Sequence, residues 1–412
     1  MDTTNLFEAA LNLPAPWSIT KIDFKPDLSG AMELHIDLSF PKGSQFACPE
    51  CGTKATAYDS APRTWRHLNF FQYKTYIHAN LPRIKCKDHG VSTIHVPWAR
   101  EGSGFTLLFE GWVVELAKHM PVSTIADMVD EHDTRLWRFI NHYVKEARDL
   151  EDYSDVAAIG MDETSKKGHN YVTVVVDLAQ RKVIFATDGK DSTTIDRFVA
   201  DFKEHHGHPT NIKIVTCDMS LGFRKGIQEH FVNSNTIIDK FHVIKHINEA
   251  VDKVRRNEQA SGPWYKHLLT RTKYLWLKND TNLTDKQRDK KESLLHKRLK
   301  TARAYAMRVT LQDIYELSSC RTEAEERLKR LYNWLARSRL SPMIEFGRLL
   351  KNHWTEILNY FDYRYTNAIL EGINSIIQNI KRRAHGFRND EYFKTMIYLI
   401  CGKLDLKYNS IS

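Results

Sequence analysis

Two groups of side chains in this 412-residue chain have the types and spacing to do chemistry. The first is Cys48-Pro49-Glu50-Cys51-Gly52 with Cys86-Lys87-Asp88-His89-Gly90, two knuckles that each carry a pair of donors three positions apart. A Cys-x-x-Cys turn followed by glycine offers two sulfurs to one ion, and tetrahedral zinc takes four S or N donors. Cys48, Cys51, Cys86 and His89 are therefore the expected ligands of a structural Zn²⁺. Four protein donors leave no open position for catalysis, and metal binding of this kind is folding free energy. The second group is Asp162, Asp218 and Glu371. Asp162 follows the apolar run Ala158-Ile159-Gly160-Met161, and Asp218 follows Ile214-Val215-Thr216-Cys217, so both fall where a strand ends and a site can open. Glu371 shares a helical face with Asn367, Asn374, Gln378 and Lys381. Carboxylates are the hard oxygen ligands of Mg²⁺ or Mn²⁺, and two such ions stabilise the attacking and leaving oxygens of phosphodiester cleavage. On residue type alone Asp177, Asp188 and Asp239 compete for the role, and Asp239 equally suits the cap of a helix beginning at Phe241.

The elements that must position these groups change character along the chain. Residues 1–100 read as short strands with turns: Glu33–Leu38 alternates, and Thr75–Ala79 and Arg83–Lys85 follow. Between 105 and 150 the period is helical. Val122–Val129 makes a first short helix, Glu131-His132-Asp133 a polar turn, and Thr134 onward a second helix with apolar positions at 136, 139, 140 and 143. That layout is a helix-turn-helix, in which Arg135 and Arg138 are candidate base or phosphate contacts, although a plain helical hairpin has the same pattern. From about 155 come strands at Val156–Met161, Tyr171–Val176 and Lys182–Ala186, a helix at Thr193–His206, a strand at Ile212–Thr216, a helix at Gly222–Phe231 and a strand at Thr236–Ile238. This is an α/β order. Beyond 241 the period is helical to the end.

Composition narrows the partner. Hydrophobic content of 42% and charged content of 27% exclude wholesale disorder. The absence of a long apolar run and of a basic-then-apolar leader points away from membrane or secretion and toward the cytoplasm. Six scattered or zinc-spaced cysteines make no disulfide framework. The net charge of +9 is concentrated: residues 251–310 hold 16 Lys+Arg against 6 Asp+Glu, and the rest of the chain is close to neutral. Such a segment suits a polyanion. Lys286, Arg288, Lys290 and Lys291 are candidate contacts to the backbone of such a partner, while Trp264, Tyr265, Tyr274, Trp276 and Tyr305 are read chiefly as helix packing.

Taken together, these residues resemble insertion-sequence transposases of the ISL-three family, bacterial members of the DDE class. The resemblance spans nearly the whole chain. It rests on the zinc knuckles, Val96-Pro-Trp-Ala-Arg-Glu-Gly-Ser103, the helix-turn-helix, Met161-Asp-Glu with Lys167-Gly and Tyr171, and Cys217-Asp-Met. It continues through Asp239-Lys-Phe-His-Val, Asn248-Glu-Ala-Val-Asp-Lys-Val-Arg, Thr366-Asn-Ala-Ile-Leu-Glu-Gly-Ile-Asn374 and Lys381-Arg-Arg-Ala-His-Gly-Phe-Arg388. His89 departs from the family's more usual fourth cysteine. The resemblance implies a multidomain α/β chain: a zinc ribbon (1–100), a helix-turn-helix (101–152), and a ribonuclease-H-like core (153–240 and 363–412) interrupted by a mostly helical insertion (241–362). It makes Asp162, Asp218 and Glu371 the catalytic triad and Mg²⁺ or Mn²⁺ ligands, with Asp239 and His242 as an accessory pair. Lys381, Arg382, Arg383 and Arg388 become further DNA contacts. It also implies a homodimer on paired inverted repeats of double-stranded DNA, metal-activated water cutting each end, and the freed 3′-hydroxyl attacking target DNA. The enzyme would be cytoplasmic and associated with the nucleoid. A non-catalytic DNA-binding regulator and a ribonuclease-H-like nuclease without strand transfer are the alternatives.

Overall fold

Period-two burial builds the N-terminal sheet. In a computed structural model describing residues 3–165, 171–189, 191–219, 221–365, 367–387 and 389–407, helix α1 (Thr3–Leu11) precedes a six-stranded sheet. Its strands are β1 (Ser18–Pro26), β2 (Met32–Ser39), β3 (Gln45–Ala47), β4 (Lys54–Phe70), β5 (Tyr73–Cys86) and β6 (Gly90–Thr93). Leu34, Ile36 and Leu38 are buried along β2 with less buried residues between them. The sheet runs β1-β2-β5-β4-β3, with β6 on the end of β5. The sequence reading breaks β5 into two strands at Pro82, yet it is continuous. β2 pairs with residues 75–79 and β6 with residues 83–86, so Pro82 lies in the gap between them and its missing N–H breaks neither ladder.

Three helices follow: α2 (Leu107–His119), α3 (Val122–Val129) and α4 (Asp133–Asp149). α3 ends on Asp130 in the left-handed conformation (φ 51°), which reverses the chain into α4. Leu136, Phe139, Ile140 and Tyr143 form the buried stripe of α4 at the expected positions.

The second sheet contains β7 (Ala158–Ser165), β8 (Tyr171–Asp177), β9 (Lys182–Asp188), β10 (Ile214–Cys217) and β11 (Asn235–Ile238). β7, β8 and β9 form an antiparallel meander, and β10 then β11 add parallel to the free side of β7, giving the order β11-β10-β7-β8-β9. Helices α5 (Ser192–Glu204) and α6 (Leu221–His230) connect the later strands. Ile159, Met161, Val215 and Cys217 join Ile195, Phe198 and Phe223 of these helices in one buried cluster. The alternate residues Gly160, Asp162, Thr216 and Asp218 therefore belong to the opposite face.

A run of helices follows: α7 (Lys240–Gln259), α8 (Pro263–Leu269), α9 (Lys273–Leu277), α10 (Asp285–Leu295), α11 (Lys300–Leu317), α12 (Arg321–Ala336), α13 (Ser341–Asn352) and α14 (Trp354–Tyr363). Leu299 gives α11 no side-chain cap. Buried Glu258 of α7 supplies one instead, accepting from the backbone N–H of Lys300 and of Thr301, each at 2.7 Å. Asn359 of α14 returns to the sheet by donating to the Thr236 carbonyl (2.8 Å). The chain ends with α15 (Ala368–Arg383) and α16 (Asp390–Cys401).

The contacts divide the chain into two compact units, one comprising residues through Asp149 with Lys381–Leu399 and the other Leu150–Ile380 with Ile400–Lys403. The sequence reading groups 363–412 with the catalytic core, whereas most of α16 belongs to the first unit. Its apolar stripe of Phe393, Met396 and Ile397 needs cover, and Tyr392 stacks on Trp137 of α4 at 4.1 Å while Thr395 donates to Asn141. Among the described residues no helix is long and apolar enough to cross a membrane.

α15 crosses β7 at Gly160. A Cβ there would overlap Leu370 Cδ1 and lie 2.9 Å from Thr216 Oγ1. Gly160→Ala is accordingly expected to lower the unfolding free energy by about 1–3 kcal/mol in a urea titration. Gly372→Ala, with open space around its Cβ, is expected to leave stability unchanged or raise it by up to about 1 kcal/mol.

Candidate functional site

The four zinc-spaced residues converge. Cys48 follows β3, Cys86 ends β5, and Gly52 and Gly90 take positive φ (73° and 72°) where each knuckle turns back. Cys51 Sγ lies 3.6 Å from Cys86 Sγ, and His89 Nδ1 lies 3.7 Å from Cys86 Sγ and 3.9 Å from Cys48 Sγ. All four donor atoms fall within 4.8 Å of one another. A tetrahedral ion with Zn–S bonds of about 2.3 Å requires ligand-to-ligand edges of about 3.8 Å, so the set fits structural zinc. His89 turns Nδ1 to the sulfurs and Nε2 toward the Glu50 carboxylate (3.7 Å). The sequence left that choice of nitrogen open.

Asp162 and Asp218 also come together. β7 and β10 pair in parallel with Gly160 beside Thr216, and continuing that register by two positions sets Asp162 beside Asp218. Both line an open cleft of about 550 Å³ with Thr164, His242, Asn374 and Gln378. Asp162 Oδ1 accepts from the Glu163 N–H (2.7 Å) and Oδ2 from the Asn374 amide (2.6 Å). Burial raises the Asp162 pKa, and Asp218 and Asp239 push it further, against the Glu163 hydrogen bond and the field of His242. Asp239 is buried at the start of α7 and accepts from His242 Nδ1 (3.1 Å). Burial disfavours the His242 cation, but the bond to Asp239 and the fields of Asp239, Asp162 and Asp218 outweigh it and raise its pKa.

Glu371 stands apart from that pair. It is exposed in the first turn of α15 and is not among the residues lining the cleft. The burial it does have raises its pKa, as does Asp239, while His242 opposes them. Among the described residues only the zinc set brings three or more His, Cys, Asp or Glu donors within 4.8 Å. Asp177, a competitor on sequence grounds, is a buried turn former whose Oδ1 accepts from the N–H groups of Ala179 and Gln180.

The cations expected to meet DNA differ in availability. Arg135 and Arg138 are exposed on the first turns of α4, where Arg135 pairs with Glu131 and lies 4.5 Å over the Phe105 ring. Lys286, Arg288 and Lys290 are exposed on α10, with Arg288 bonded to Asp285 (2.8 Å). Lys291 corrects the sequence reading. It is 3% exposed, its ammonium donates to Asp280 and Tyr305, and it sits 3.8 Å from the Tyr305 ring centroid, so it braces helices and offers nothing to a phosphate. Of the aromatics, Trp276 and Tyr305 are buried and Trp264 and Tyr274 are exposed. Lys381 is half-buried, Arg382 exposed, and Arg383 donates to the His119 carbonyl; Arg388 lies outside the described residues.

Sequence reasoning placed Asn367, Asn374 and Gln378 on a polar stripe without giving them work. Asn374 bonds to Asp162, and Gln378 to Thr164 Oγ1 (2.6 Å). Asn367 is buried, with both side-chain polar atoms unpartnered among the described residues.

Three family profiles match the chain. One described as "Transposase" covers residues 159–397, one described as the helix-turn-helix domain of transposase family ISL3 covers 94–144, and one described as the zinc-finger of transposase IS204/IS1001/IS1096/IS1165 covers 44–89. The chain is 25% identical to the transposase for insertion sequence element IS1557 of Mycobacterium tuberculosis, over 95% of this chain and 94% of that protein. It is 24% identical to the transposase for IS1001 of Bordetella parapertussis, over 92% and 93%.

The donor geometry makes a testable statement about the ribbon. Cys48→Ser or Cys86→Ser is expected to lose bound zinc by atomic absorption and to expose residues 44–89 to protease, whereas His89→Cys, which keeps four donors, is expected to retain both metal and protection. Zinc retained in full by Cys86→Ser would refute the ligand set.

Proposed function

The chain belongs to transposase family ISL3, and on that premise we propose that it binds the terminal inverted repeats of its own insertion sequence as a homodimer, cleaves them with a divalent metal, and joins the freed 3′-hydroxyl to target DNA. The observation that carries this reading is the register of β7 and β10, which pairs two acidic strand ends in one open cleft. The meander with two parallel strands added beside β7 supports a ribonuclease-H-like core, and the helices between β11 and α15 support an insertion.

The donor set suits Mg²⁺ or Mn²⁺: oxygen ligands only, with Asp162 at a site where burial, and after it the neighbouring Asp218 and Asp239, raise its pKa. Asp162 and Asp218 would hold the metal from the strand ends, with Glu371 as the third carboxylate from α15. Bound there, such ions stabilise charge on the attacking and leaving oxygens. His242 is held by Asp239 at the edge of the acidic cluster. Water and a 3′-hydroxyl are the nucleophiles, so the reading needs no Ser or Tyr for covalent attachment. Arg135 and Arg138 would read the repeat from α4. Lys286, Arg288 and Lys290, with Lys381, Arg382, Arg383 and Arg388, would hold phosphates. Work on DNA would keep the protein with the nucleoid.

Asp162→Asn, Asp218→Asn and Glu371→Gln are each expected to abolish nicking of an end-bearing duplex in Mg²⁺ while retaining its binding in a gel-shift assay. Full cleavage by any one of them would remove that residue from the triad. Replacing Lys286, Arg288 and Lys290 together with alanine is expected to weaken binding to all duplexes alike. It should also lower the slope of log affinity against log salt by about 0.9 for each lost phosphate contact. Lys291→Met should destabilise the fold without changing that slope.

A further inference from the structure

Side-chain amides on α15 fall into step with the strand beneath them. Asn374 and Gln378 are one helical repeat apart and bond to Asp162 Oδ2 and Thr164 Oγ1, each at 2.6 Å. Four helical residues advance about 6 Å and two strand residues about 6.6 Å, so successive amides on one helix face meet successive residues on one strand face. The crossing is close because Gly160, on that same strand face, leaves room for Leu370. Glu371 is one turn before Asn374, and its backbone N–H is already bonded to the Asn367 carbonyl (2.8 Å).

We propose that Asn374 and Gln378 are positioning residues for the cleavage site: Asn374 fixes the orientation of the Asp162 carboxylate for the cation, and the pair sets the register of α15 that carries Glu371. The proposal rests on the reading of Asp162 as a cation ligand. Residue chemistry favours the role. An ionised carboxylate has about four lone-pair positions. Glu163 and Asn374 occupy one on each oxygen, which holds the plane of the group and leaves acceptor positions free. A lysine or arginine in place of Asn374 would neutralise Asp162 and compete with a cation, and an aspartate would repel the Asp162 carboxylate. A neutral amide orients the group and leaves its charge intact. Gln378 meets a buried hydroxyl instead, so its part is register alone.

The test uses the full zinc-loaded chain and Mn²⁺ as probe, with free Mn²⁺ followed by its paramagnetic resonance signal and no DNA present. Asp162→Asn is expected to lose the tightest Mn²⁺ site. Asn374→Ala is expected to keep the site but weaken it about 10–100-fold, and Gln378→Leu to weaken it less, both with a melting temperature of the zinc-loaded, Mn²⁺-free chain near that of the parent. Asn374→Leu, which keeps the branched shape without the donor, reads the same bond if the alanine variant melts early. Restoring a donor with Asn374→His should recover part of the affinity. Parental Mn²⁺ affinity in both Asn374→Ala and Asn374→Leu, with binding lost in Asp162→Asn, would overturn the positioning role and leave the metal reading standing. Parental affinity in Asp162→Asn would overturn both.

Discussion

The parallel pairing of β7 with β10 is the constraint on which the second unit is organised. It brings two acidic side chains to neighbouring strand ends about 4.8 Å apart, where burial, with the fields of Asp218 and Asp239 added to it, raises the pKa of Asp162. The arrangement is unfavourable by itself, and the opposite face of the same strands stabilises it. Ile159, Met161, Val215 and Cys217 are all within 1% of complete burial. Period two therefore assigns one face of each strand to the core and the other to polar chemistry, and a one-residue slip of β10 against β7 would exchange them.

The polar face has to be covered without being filled, and α15 does this by changing character along its length. Leu370 seats against Gly160, and Asn374 and Gln378 then bond to Asp162 and Thr164. Glu371 remains at the exposed edge, outside the lining of the cleft. On the proposed reading, completing the site is a matter of drawing one carboxylate inward from a helix already in register. That costs far less ordering than assembling three separate groups.

What the sequence made legible was local. Apolar runs marked the strands of the second sheet, two ligands at three-residue spacing marked each zinc knuckle, and an acidic residue after an apolar run marked each of Asp162 and Asp218. What it hid depended on partners distant in sequence. β5 tolerates Pro82 only because β2 and β6 pair on either side of it. Lys291 looks like its exposed neighbours Lys286 and Lys290, and only Asp280 and Tyr305 reveal it as internal. Helical period announced α16 but could not say that Trp137 would receive it. The polar stripe on α15 was visible as a pattern, while the assignment of Asn374 to Asp162 needed the strand opposite.

Burial also redistributes the charge that composition placed in 251–310. Arg255, Lys291 and Arg308 are all buried, and each is held by internal partners: Asp252 for Arg255, Asp280 for Lys291, and Asn248 with Asn279 for Arg308. Lys291 and Arg308 tie separate helices of this segment together, and Arg255 reaches the next helix through the Leu269 carbonyl, because a buried charge is tolerated only when its hydrogen bonds are satisfied. Glu258 is buried with them, so the outward balance of the segment stays positive. The remainder of the chain is close to neutral overall and exerts little long-range pull of its own on a polyanion. On the proposed function the two tasks then separate by physics. The insertion supplies salt-sensitive, sequence-independent attraction for DNA, and the exposed arginines of α4 contribute short-range discrimination, which needs contact with base edges rather than net charge.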